Sequence, residues 1–197
     1  MAANEQDFSD WCGKTEVSYD IIDPALAERL RTTLLRGEQT PATSVLPTLG
    51  HWCYFQSPAP ADLLGEDGHP QRGGFLPPIA LPRRMWAGAS LEFLAPIPIG
   101  ATLSRHSTIG SIQTKEGRSG KLVFVSITHD YWQEETKLIT ERQDLVFREA
   151  AIIDNTPPAK SKTKTLPPSQ ETTTHLHSQT LHGDALTLVP THLYTHL

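Results

Sequence analysis

The stretch LVFVSITHDYW, Leu122 to Trp132, alternates with a period of two. Val123, Val125, Ile127, His129 and Tyr131 fall on one face of an extended strand, while Leu122, Phe124, Ser126, Thr128 and Trp132 fall on the other. A strand that is apolar along one whole side and partly apolar along the other belongs inside a sheet. The alternation also separates His129 from Asp130, so these neighbours cannot act as a catalytic dyad.

On both sides of this stretch the same period holds from Met85 onward. It predicts four strands, at about 86–95, 101–113, 121–132 and 137–148. KEGRSG (Lys115 to Gly120) is a Gly-bearing hairpin connection. Upstream, DPALAERLRTTLLRG predicts one helix, with Asp23 as N-cap, Pro24 at the first helical position and Gly37 just past the end. Ala27, Leu30 and Leu34 line one face, which Leu26 widens. About forty Pro- and Gly-bearing residues then read as loop. One helix followed by a run of antiparallel strands is an α+β pattern.

The chain has 197 residues, 38% hydrophobic and 20% charged, with a formal net charge of −5. No basic stripe exists to neutralise phosphates, which argues against a nucleic-acid binder. No apolar run is long enough to span a bilayer as a helix, so no membrane partner is expected. The N-terminal MAANEQDFSD shows neither a signal core nor an Arg-rich presequence pattern. The compartment stays open between mitochondria and cytoplasm. Cys12 and Cys53 are the only cysteines and form no CxxC pair. HLHSQTLH (His175, His177, His182) has loosely ligand-like spacing, but it lacks a carboxylate or cysteine nearby, and no metal is expected there.

Composition breaks near residue 150, because all four tryptophans and all six phenylalanines precede it. We therefore read residues 1–150 as one domain and 151–180 as a disordered linker rich in Pro, Ser, Thr and Lys. Residues 181–197 turn mildly apolar again and read as the start of a second unit.

LGEDGHPQRGGFLPPIALPRRMWAGASLEFLAPIPIG, then RHSTIGSIQTKEGRSGKLVFVSITHD and ERQDLVFRE, occur in this order between Trp11 and Glu149. The ordered set resembles the N-terminal domain of the MaoC-like, FAS1-like dehydratases, the two-domain hydroxyacyl-thioester dehydratases and mesaconyl-CoA hydratases. The resemblance implies a hotdog fold, an antiparallel sheet wrapped around one long helix. It also implies reversible addition of water to a 2-enoyl thioester held between two hotdog units. The substrate would be an acyl-CoA or an acyl-carrier-protein thioester, with no separate cofactor. The partner would be a second hotdog unit or a second copy in a homodimer.

Hydration needs a base to activate water, an acid for the α-carbon and donors for the thioester oxygen. In relatives these roles fall mainly to an Asp/His pair in the second hotdog, within an Asn-Gly-His-like motif ending in His-x-Asp. This sequence contains no such motif. The expectation is therefore a substrate-binding half, with a non-catalytic thioester-binding or dimerisation module as the alternative.

His51, in LPTLGHWCYF, is the one remaining catalytic candidate. It either faces the acyl group or holds a backbone carbonyl while Trp52 and Tyr54 pack. Arg83 and Arg84 are substrate-binding candidates for a CoA or phosphopantetheine phosphate, since a planar guanidinium suits phosphate oxygens. Their other reading is an ion pair with Glu92 or Asp144. Trp86 either walls the acyl pocket or is simply core. Asp67 and His69, in EDGHP, read as an acid/base pair or as a turn.

Overall fold

The computed structural model describes residues 7–34, 44–65, 67–117 and 120–150, together with the backbone of 185–188. Among the described residues the strands are β1 (Thr15–Ile21), β2 (Arg83–Phe93), β3 (Thr102–Gly117), β4 (Gly120–Gln133), β5 (Thr136–Arg148) and β6 (Ala185–Leu188), with one α-helix, α1 (Pro24–Leu34), between β1 and β2. They form a single sheet in the order β1-β3-β4-β5-β2-β6. Every pairing is antiparallel. One helix packed on such a sheet is the α+β hotdog arrangement that the sequence implies.

The helix begins where its cap chemistry dictates. The Asp23 carboxylate accepts the Leu26 amide at 2.7 Å, satisfying one of the orphan donors of the first turn. Gly37 lies outside the described residues. The four expected strands are all present, within a few residues of their predicted ends. The long Pro- and Gly-bearing segment carries two short 3-10 turns, Gly50–Cys53 and Ala61–Leu63.

Two elements go beyond the sequence reading. β1 flanks β3, and β6 pairs with β2, Ala89 opposite Leu188. The linker predicted at 151–180 and the histidines at 175, 177 and 182 lie outside the described residues.

The core divides into two clusters. One joins Ala27 of α1, Tyr54 and Phe55 to Leu91, Leu103, Tyr131 and Ile139 of the sheet. The other joins Phe8 and Ile79 to Ile109, Val123, Val125, Ile127, Leu145 and Phe147. Burying each large aliphatic or aromatic side chain stabilises by roughly 1.5–3 kcal/mol. Between the clusters the inner face of the sheet turns polar. Ser107 of β3 lies opposite His129 of β4, and His129 lies opposite Glu141 of β5. All three are buried.

Candidate functional site

This polar row forms because Glu141 occupies an inward position of β5. Ile139, Glu141, Gln143, Leu145 and Phe147 alternate onto one face, so the carboxylate takes a place where the period calls for an apolar residue. Only 1% of it is exposed, and burying a lone carboxylate is costly. Its oxygens are accordingly occupied. Trp52 donates its indole N–H to Oε1 at 3.1 Å, and Tyr131 donates its hydroxyl to Oε2 at 3.0 Å. His51 Nε2 sits 3.4 Å from Oε2, at ion-pair distance but without hydrogen-bond alignment.

The row's electrostatics follow from burial and from these partners. Burial pushes the Glu141 carboxyl up, but His51, His129 and Trp52 pull it down further, and it titrates below the ordinary carboxylate range. Burial lowers the His129 imidazole to about 4, with Arg105 adding to the effect and Glu141 opposing it. His129 is thus neutral at neutral pH, and its Nδ1 shares a 2.8 Å hydrogen bond with Ser107 Oγ. Burial and then the Glu141 charge raise the Tyr131 hydroxyl, keeping it a donor.

A strained turn delivers His51 and Trp52 to the row. Leu49 and Phe55 flank it with φ of 65° and 58°, a left-handed conformation uncommon for side chains of this kind. The Asp20 carboxylate accepts the Phe55 amide at 2.6 Å and holds the far end. At Gly50 an added Cβ would lie 2.9 Å from Leu46 Cγ, so the turn can approach Leu46 only without a side chain there. His51 packs edge-on against Tyr131, with ring centroids 5.0 Å apart.

Above the row opens a cleft of about 550 Å³, lined by His51, Trp52, Tyr54, Phe55, Trp86, Arg105, His129, Tyr131 and Glu141 among others. An adjoining part of about 400 Å³ is lined by Arg84, Trp86, Arg105, His129, Phe75 and Leu76 among others. Trp52 and Trp86 meet edge to face, 6.4 Å apart, at the lip. The cleft exists because two separate covers lie over the sheet: α1 with the Gly50–Cys53 turn on one cluster, and the Phe75–Leu81 segment on the other.

The residues singled out in the sequence fall as follows. His51 is buried in the floor beside Glu141. Trp86 stands half-exposed at the lip, where β2 has a register irregularity between Trp86 and Gly88. Arg84 faces the cleft and lies 3.9 Å from Asp67, not against Glu92 or Asp144. Arg83, one residue away, is exposed. Asp67 and His69 form a turn: the His69 amide donates to the Asp67 carboxylate at 3.2 Å, and Arg72 pairs with the same carboxylate at 3.1 Å. His129 and Asp130 face opposite ways, as the alternation requires. Asp130 pairs with Lys137 and accepts from Thr140 on the other face.

Glu141 and Arg105 were missed. Glu141 carried one readable signal, a carboxylate at an inward position of a strand. Arg105 carried none, because its partners lie on other strands.

Comparisons with known proteins identify the family. The family model for hydroxyacyl-thioester dehydratase type 2 matches residues 49–188. The chain is 46% identical over 144 residues to the mesaconyl-C(4)-CoA hydratase of Chloroflexus aurantiacus, covering 73% of this chain and 51% of that protein. It thus spans about half the length of that relative. Among solved structures it is similar to the ChsH1–ChsH2 complex of Mycobacterium tuberculosis (13% identity, TM-score 0.44, 70% of this chain and 89% of that one). It is also similar to R-hydratase PhaJ1 of Pseudomonas aeruginosa (12% identity, TM-score 0.42, 76% and 92%). With most of its hotdog sheet inside the matched region, this chain belongs to the hydroxyacyl-thioester dehydratase type 2 family.

Proposed function

We propose that the chain is the substrate-binding hotdog of an enzyme that adds water to, or removes it from, the C2–C3 bond of an acyl thioester. The observation that carries this reading is the cleft in a chain of this family: two tryptophans at its lip, aromatic walls and a buried polar row beneath. Such a slot suits an extended acyl or pantetheine arm, which needs apolar walls and a few fixed polar groups. Trp86 would wall the arm. Arg84, at the far side of the adjoining part, and exposed Arg83 would meet phosphate oxygens of CoA or phosphopantetheine.

In hydration the base takes a proton from water as its oxygen bonds to C3, and the α-carbon gains a proton from the acid. We assign these two groups to a second hotdog unit, since this sequence lacks the Asn-Gly-His motif. His51 we assign a positioning role. Its imidazole faces Glu141, and both groups are 99% removed from solvent.

The test is to titrate the chain with a 2-enoyl-CoA, following tryptophan fluorescence for binding and loss of the conjugated thioester absorbance for turnover. Binding is expected without turnover, with hydration appearing once a second hotdog unit carrying the Asn/His/Asp set is supplied. Turnover by the chain alone that His51→Ala abolishes would move the chemistry into this hotdog. Absence of binding would sink the reading.

A second reading, a dimerising thioester-binding module, is favoured by one surface. Among the described residues β1 pairs only with β3, and Val17, Tyr19 and Ile21 expose 46%, 73% and 58% on one side of it. Here the occupant would be a second copy of the chain. A monomer in light scattering at all concentrations would eliminate it.

A further inference from the structure

The turn that carries Asp67 and His69 reaches the rim of the cleft, and His69 lines both of its parts. The imidazole Nδ1 lies 3.0 Å from the Asp67 carbonyl and 3.8 Å from its carboxylate, so the two side chains are not joined as an acid/base pair. The carboxylate has other partners. Its Oδ1 accepts the His69 amide at 3.2 Å. Its Oδ2 accepts from Arg72 Nη2 at 3.1 Å and lies 3.9 Å from Arg84 Nε.

Arg72 is itself fixed. The segment that follows it contains Pro77, Pro78 and Pro82 and lies outside the sheet, so its carbonyls need donors from elsewhere. Arg72 donates to the carbonyls of Ile79 at 2.7 Å, Leu81, and Pro82 at 3.0 Å. Its guanidinium stands 5.0 Å from the centre of the Phe147 ring. One planar fork thus ties the Phe75–Leu81 cover to the Asp67 carboxylate.

We infer that Asp67, held by Arg72, is a positioning residue that keeps Arg84 in the cleft ready for a phosphate oxygen of the ligand. This rests on the reading of Arg84 as a phosphate ligand and adds what makes it one. The Arg84 side chain is only 13% exposed, and Asp67 is the one carboxylate within ion-pair distance of it among the described residues. Without that carboxylate a cation so enclosed gains by turning out to water. Asp67 approaches Arg84 on the Nε side, which leaves both Nη groups for a ligand. Its bonds to Arg72 and the His69 amide keep it from following Arg84 onto the ligand. A cation oriented before binding loses less freedom when the phosphate arrives.

The experiment compares crotonyl-CoA with crotonyl-pantetheine, which has the same thioester and arm but no phosphate. Dissociation constants are measured by calorimetry for the native chain, Asp67→Asn, Asp67→Glu and Arg84→Gln, with thermal melting to confirm folding. The native chain is expected to bind the CoA thioester about tenfold more tightly, and Arg84→Gln to bring the ratio close to 1. Asp67→Asn is expected to lower the ratio to about 2 while pantetheine affinity holds, with Asp67→Glu in between. The sign is diagnostic, because removing a negative charge beside Arg84 would by itself strengthen phosphate binding. A ratio unchanged or raised in Asp67→Asn would overturn the inference. So would equal weakening of both ligands, which would make Asp67 a support of the cover alone. Should Asp67→Asn not fold, Asp67→Glu decides by the same ratio. Equal affinity of the native chain for both ligands would remove the Arg84 assignment and this inference, yet leave the thioester reading standing. Failure of both ligands to bind the native chain would remove the thioester reading itself.

Discussion

At the scale of single residues, Glu141 organises the site, and its removal should be felt in stability before anything else. Glu141→Ala would leave the Trp52 indole N–H, the Tyr131 hydroxyl and His51 facing a void. The expected loss is about 3 kcal/mol or more, measured by urea unfolding, and Glu141→Gln, which keeps one oxygen acceptor, should lose less. Acid should weaken the fold through His129. Folding lowers its pKa from 6.5 to about 4, so between those values the unfolded chain holds a proton that the folded chain does not. Stability therefore falls as pH drops from 6.5 towards 4, by up to about 3 kcal/mol, and levels off below that. Glu141, whose pKa is lowered on folding, loses its contribution at the acid end, as pH falls through its folded value. His129→Asn should flatten the limb between pH 6.5 and 4. A limb of unchanged depth in that variant would assign the loss to other groups.

Among the elements, the Gly50–Cys53 turn carries the most consequence for its size. Gly50→Ala places a methyl against Leu46, and either the turn or Leu46 must move. A loss of about 1–3 kcal/mol is expected, together with a shift in Trp52 fluorescence as its bond to Glu141 loosens. Trimming Leu46 to Ala in the same chain should restore part of the fluorescence shift, which a purely backbone effect would not allow. The elements also differ in how openly the sequence announces them. α1 was legible because its cap, its first-turn proline and its apolar face are local features, each within a few residues of the others. β4 was legible because both of its faces are largely covered. β1 was not, because its apolar residues Val17, Tyr19 and Ile21 face solvent, while Ser18 and Asp20 lie inward. Asp20 is kept there by its bond to the Phe55 amide, a tertiary contact that no period reveals.

For the whole molecule, the polar row is what keeps two apolar clusters from closing over one another. The cleft lies along it, between the helix-side cover and the Phe75–Leu81 segment. Under the thioester reading, Trp52→Ala and Trp86→Ala should each weaken 2-enoyl-CoA binding about tenfold, since each removes one wall of the lip. Trp52→Ala should also destabilise the fold, because Trp52 is bonded to Glu141, whereas Trp86→Ala should leave the melting temperature nearly unchanged. Equal binding by both variants and the native chain would show that the ligand lies elsewhere.

By itself the sequence determined the helix, four strands of the sheet, the separation of His129 from Asp130 and, through its ordered motifs, the family. These are either properties of neighbouring residues or of a period that repeats along one segment. Only the tertiary structure decided the site. Trp52 and Glu141 are 89 positions apart, and their meeting depends on a strained turn landing on one register of β5. Arg105 meets Tyr131 and the Phe55 ring only once β3, β4 and the Phe55 loop are assembled around it. A buried charge is defined by what surrounds it, and that is set by strand pairing and packing, not by the residues beside it in the chain.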